Sequence, residues 1–216
     1  MNNPHPIGIA INVMRARLTL VGFNIAIVSF QLSEMFNLAG GIPIPGLSKA
    51  IHFRADMALF LALALSLLSL VAFISSSALD DQGTCDHRIF IVGELLMYLG
   101  LAHTATGFFS PLNATFLVVG QHLPDQFEQI ALFREAVFYM GSLVWVAAIY
   151  IGPTIALIRA PFSKKMTLKL SLVYVASLVL MFWFSHQVTL FEAVNTTKVP
   201  LKTPHFWQEL LQPMLW

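Results

Sequence analysis

The chain of 216 residues has one cysteine, Cys85, and little charge: 12 Lys and Arg against 11 Asp and Glu, 11% of the sequence. A single thiol excludes an intrachain disulfide and any Cys-rich zinc or iron–sulfur centre. A net charge of +1 excludes the one-signed basic field that gathers nucleic acid, so no nucleic-acid partner is expected. Soluble domains carry about 25% charged residues, more than twice what this chain holds, which excludes a water-soluble fold.

Other signals are missing too. The first sixteen residues, MNNPHPIGIAINVMRA, lack the basic region, apolar core and small-residue cleavage site of a signal peptide, so the first membrane helix is expected to serve as its own insertion signal. No internal repeat of roughly 20 to 50 residues points to a repeat-built transporter. No linker marks a second domain, and residues 1–216 read as one integral membrane domain. The P-loop, the dinucleotide fingerprint, the nucleophile elbow and HExxH are all missing. Motifs therefore assign no chemistry, do not decide whether the protein is an enzyme, and place it in no family.

What fills the chain is hydrocarbon: 57% of residues are hydrophobic and the mean hydropathy is +0.74. Residues 57–79 hold no charged side chain, and about 20 such residues at 1.5 Å rise cross the roughly 30 Å core of a bilayer. Five stretches meet that standard: 18–38, 57–79, 89–109, 136–158 and 170–191. The fold class is all-α, a polytopic bundle of five transmembrane helices. Gly107 and Pro111 are expected to interrupt the third span, leaving residues 110–120 as a short re-entrant or interfacial segment.

Arg15 and Arg17 before the first span, and Arg159, Lys164, Lys165 and Lys169 between the last two, place the N-terminus in the cytoplasm and the C-terminus outside. A bacterial-type inner (plasma) membrane is the expected location. Trp207 and Trp216 in the tail read as interfacial anchors.

Depth singles out the ionisable residues. Counted from the basic end of each span, Gln31, Glu34, His103, His186 and Gln187 lie roughly 21 to 27 Å up three separate helices. His52, Arg54 and Asp56 open the second span near that level, and Arg134 and Glu135 open the fourth. Charged groups inside a bilayer are costly and mark functional candidates. For residues at helix ends the competing reading is hydration at the interface, or local pairing of Arg54 with Asp56 and of Arg134 with Glu135. Gly93, Gly100 and Gly107, seven residues apart, form one smooth stripe for close helix packing, with His103 and Thr104 on or beside it. Glu94 lies about 180° away from His103, and with Tyr98 makes a second face for another helix or subunit.

Three functions fit this layer. Glu34, Asp56, His103, Glu135 and His186 can bind or conduct a proton or a metal cation, with Glu94 as an inner relay. His103 and His186 at matching depth can hold a cofactor, a b-type haem, across the bundle; a His/His/carboxylate set can also form a divalent-metal shell. The third reading is a packing or assembly subunit of a larger membrane complex. The expected partners are the lipid bilayer and either further copies of the chain or other subunits.

Overall fold

A computed structural model describes residues 5–34, 42, 51–79, 87–196 and 205–216; among these the chain is helical apart from short connections and one antiparallel bridge between Ile42 and Ile51. Helix α1 spans His5–Glu34, α2 Phe53–Leu79, α3 Arg88–His122, α4 Phe127–Val146, α5 Gly152–Arg159 and α6 Lys164–Thr196. A π-helical turn, Ala147–Ile151, joins α4 to α5, and a 3-10 segment, Phe206–Leu215, follows α6. Among the described residues, five units are long and apolar enough to cross a membrane: α1, α2, α3, α6, and the continuous run Pro124–Arg159 that contains α4 and α5. The bilayer explains the choice of element, since only a helix satisfies every backbone group internally. Residues 35–38 of the first expected span lie outside the described residues.

Helix α3 is the axis of the bundle. Its most apolar stretch is 72% buried, against 17% for those of α1 and α6, and it packs on α1, α2, α4 and α5. The contact with α2 is the most extensive, and the glycine stripe makes it. A methyl group built on Gly107 would stand 2.5 Å from the Leu59 side chain; on Gly100, 3.0 Å from Ser66 Oγ; on Gly93, 3.0 Å from the Phe73 ring. Each glycine therefore admits one α2 side chain. Leu59, Ser66 and Phe73 recur at the same seven-residue step and are all but fully buried.

Where an interruption was expected, α3 continues through Gly107 and Pro111 to His122. Its 35 residues rise about 52 Å, well beyond the hydrocarbon core, so residues 110–120 are the last turns of α3 rather than a separate element. Pro111 removes one hydrogen bond, to the carbonyl of Gly107. A membrane helix held by neighbours tolerates that loss.

The second proline site shows how such a loss is met. Pro153 has no N–H for the carbonyl of Ile149 four residues earlier, and Tyr174 of α6 donates its hydroxyl to that carbonyl at 2.7 Å. The π-helical turn lies immediately before this proline, so α6 is tied to the irregular part of the fourth span. Trp145, fully buried, stacks on Phe182 of α6 nearby. Gly152 leaves room for the Tyr98 ring, which occupies the place a side chain would take.

Replacing Gly107 by valine forces α3 away from Leu59 and the Ala55 carbonyl, an overpacking cost of about 1 to 3 kcal/mol. Gly22, with open space around its α-carbon, is the control. Thermal unfolding in detergent should show a clear drop in midpoint for Gly107→Val and none for Gly22→Ala.

Candidate functional site

Polar side chains converge at the end of the bundle where α2 begins and α6 ends. The segment Phe206–Leu215 folds back there as two short turns joined at Leu211, whose φ and ψ are non-helical. It presents Glu209 and Gln212 inward, 0% and 1% exposed, while Trp207 and Met214 face outward. This is the amphipathicity of a segment whose outer solvent is lipid, with the polar face turned to the protein.

Glu209 accepts three hydrogen bonds: from Ser185 Oγ at 3.0 Å, from Gln212 Nε2 at 3.2 Å and from Thr189 Oγ1 at 3.2 Å. Gln212 also donates to Ser185 Oγ at 2.7 Å and accepts from Thr106 Oγ1 of α3 at 3.0 Å. The network thus joins α3, α6 and the C-terminal segment. His186 sets its Nδ1 3.9 Å from Glu209 Oε1 and its ring edge-on to Phe206. That separation is electrostatic contact but too long for a hydrogen bond.

The countercharge is Arg54, buried in the first turn of α2, with Glu209 and Glu192 within Coulombic range. Its Nη1 donates to the Leu215 carbonyl at 2.8 Å and its backbone N–H donates to Glu192 Oε2 at 2.9 Å. Its Nε and Nη2 are buried without a hydrogen-bond partner. Local pairing with Asp56 is therefore not what holds Arg54; it clamps the C-terminal segment onto α2. Asp56 is half-buried beside it, with His52 and Glu192 in electrostatic range.

The other sequence candidates fall in different places. His103 is 5% exposed on α3 and its Nε2 meets no hydrogen-bond partner. Glu34 is an exposed residue at the end of α1 and Glu135 an exposed one on α4. Arg134 donates its Nε to Asn113 Oδ1 at 3.0 Å, and Glu135 lines the same cavity. Glu94, on the opposite side of α3, receives Arg17 Nε of α1 at 2.6 Å. Its partner is thus a neighbouring helix of the same chain. Among the described residues no three His, Cys, Asp or Glu side chains are grouped to hold a metal ion.

Buried polar groups continue between these two charged levels. Asn24 of α1 donates to Ser66 Oγ at 2.8 Å, beside Gly100, and Ser69 Oγ donates to the Gly93 carbonyl at 2.8 Å. Ser76 Oγ, one turn beyond the Glu94 level, is also buried with no hydrogen-bond partner. Along α3, Glu94, Gly100, His103 and Thr106 cover about 18 Å of rise.

Sequence reasoning missed Glu209 and Gln212, because two tryptophans made the tail read as an interfacial anchor. Trp207 is exposed as an anchor should be, whereas Trp216 stacks on Phe109 within the bundle. The available signal was polar residues at i and i+3 among Leu, Trp, Pro and Met. Comparison with known protein families, curated proteins and solved structures finds no match, so the site is read from its own geometry.

Gln212→Leu removes donors and acceptors from Glu209, Ser185 and Thr106 at once. Unsatisfied buried groups cost about 1 to 3 kcal/mol each, so the C-terminal segment should be cut by protease at least tenfold faster than in wild type. Gln187→Ala, at an exposed position of α6, should leave the cutting rate unchanged.

Proposed function

We propose that this protein moves protons across its membrane, with Glu209 and His186 as the outer exchange pair and Glu94 as the inner one. Glu209 carries the reading. It is a carboxylate wholly removed from lipid and water, held by neutral donors, with an imidazole at 3.9 Å and a guanidinium in Coulombic range. Carboxylates and histidines buried in membrane bundles are costly, and proton relays are a main reason to keep them.

A proton arriving from outside first meets the acidic residues at that end, Glu34, Asp56 and Glu192, and passes to His186. A modest turn of the ring closes the gap to Glu209. Gln212, Ser185 and Thr106 then lead toward α3, where His103 Nε2 supplies a titratable nitrogen between the charged levels. His103 Nε2 is a buried polar atom with no hydrogen-bond partner, and water is the usual occupant of such positions. The Arg17–Glu94 pair, on the opposite side of α3 from His103 and so reached around the helix, closes the inner end, and the Arg17 guanidinium balances the carboxylate once its proton leaves. The N-terminus lies in the cytoplasm on this reading, as the basic residues of the loops favour.

Proton transfer takes precedence over the metal-cation reading because it needs no ligand cage. It asks only for titratable groups at successive levels, and Glu209, His186, His103 and Glu94 supply them.

The test is flux in proteoliposomes carrying a trapped pH dye, driven by a potassium diffusion potential. Wild-type protein should acidify or alkalinise the lumen with the sign of the potential. Glu209→Gln, which keeps the side-chain shape but not its titration, should slow that flux at least tenfold, and His186→Gln should slow it as well. Wild-type flux at the level of protein-free vesicles, or a Glu209→Gln rate equal to wild type, overturns the proposal.

A further inference from the structure

Two cavities lie one after the other along the crevice between α3 and α4. The first, about 500 Å³, is cut into α3 between α1 and α4, and Ile27, Leu101, Ala105, Phe108, Val144 and Ala147 give it an almost entirely hydrocarbon wall. The second, about 450 Å³, is mixed: Asn113, Arg134 and Glu135 bring polar groups to a lining that Phe138, Met214 and Trp216 otherwise make apolar. They adjoin at one aromatic pair: Phe109 belongs to the first, Trp216 to the second, and the two rings stack 6.0 Å apart at 16°. Gly141 of α4 makes the pair possible, since a methyl group there would stand 2.6 Å from both rings.

The apolar cavity opens to lipid. Ile27 and Phe108 are each 37% exposed and Val144 48%, and α1 and α4 do not form a packed interface that would close the gap. From Tyr98 to Phe109 its α3 wall rises about 16 Å, close to half of the roughly 30 Å hydrocarbon core. The groove is one leaflet deep. A molecule that enters sideways at this depth is itself a component of the bilayer, and the length suits one acyl chain.

The charged pair in the second cavity completes the match. Arg134 uses Nε on Asn113, which fixes the guanidinium plane and leaves its two terminal nitrogens to bind a phosphate in the forked geometry that oxyanions prefer. The next residue, Glu135, offers a carboxylate, and Tyr139 a ring face, both suited to an ammonium group. A cation and an anion side by side at the headgroup end of an acyl-sized groove describe a zwitterionic amphiphile.

We propose that this crevice binds one zwitterionic phospholipid of the phosphatidylethanolamine type, with an acyl chain over Ala105 and Ala147, the phosphate on Arg134 and the ammonium on Glu135. The site is independent of the proton pathway, and its test reads lipid rather than flux. Protein purified in detergent, relipidated with phosphatidylethanolamine and passed through gel filtration is weighed by native mass spectrometry. Wild type should retain one phosphatidylethanolamine per chain. Ala147→Phe, which fills the groove, and Arg134→Gln, which removes the phosphate contact, should each lower retention at least tenfold, while Leu172→Phe on the exposed face of α6 should not. A bare wild-type protein, which needs no substitution to interpret, overturns the proposal. Equal retention in both site variants, or equal retention of phosphatidylglycerol in place of phosphatidylethanolamine, overturns it too.

Discussion

The close approach of α2 to α3 is the contact on which the rest of the molecule depends. Lipid tails are as apolar as leucine, so two helices in a bilayer gain little by burying hydrocarbon; they associate through packing and through polar groups brought within reach. Gly93, Gly100 and Gly107 supply the packing by letting Phe73, Ser66 and Leu59 sit against bare backbone. The polar contacts then follow. Ser69 reaches the Gly93 carbonyl, and Ser66 comes into place for Asn24 of α1. With α2 fixed, Arg54 at its start stands where Glu192 and the C-terminal segment can use it.

The cluster around Glu209 is the second consequence. A carboxylate at zero exposure survives in a bundle only if its lone pairs and charge are answered, and Glu209 is answered by donors from α6 and from its own segment, with Arg54 for charge. Such clusters are poor sources of net stability, because desolvation offsets most of the Coulombic gain. Their value lies in what they fix. Here the C-terminal segment is fixed against α2, α3 and α6, with Glu209 fully buried and His186 beside it. Tyr174, which answers the carbonyl freed by Pro153, applies the same rule to the backbone.

Membrane residence, five spans and the all-α class were legible in the sequence because length and hydropathy report directly on the bilayer. The glycine stripe was legible for a similar reason: a seven-residue period names one helix face, and the facing side chains on α2 repeat at the same period. Pro111 misled, since proline ends helices in water but is carried through them when neighbouring helices replace the support. The site was half legible. Depth along each span singled out His103, His186, Asp56 and Arg54 as residues needing an explanation, and two of them, His186 and Arg54, do meet one acid. That acid, Glu209, lay beyond the last span, in a tail whose tryptophans suggested an interface. Depth counting cannot place a segment that folds back, because its position is set by tertiary contacts with Ser185, Thr106 and Arg54 and not by distance from a basic loop.

If the cluster around Glu209 is a proton site, Glu209 must change protonation in the folded protein within its membrane. Infrared difference spectroscopy on reconstituted protein, between acidic and alkaline buffer, reads that change directly as a protonated-carboxyl band. Proton exchange at Glu209 predicts such a band in wild type and its loss in Glu209→Gln, with His186→Gln shifting the pH at which it forms. A wild-type spectrum identical to that of Glu209→Gln across the whole range would mean that Glu209 holds the fold together and carries no protons.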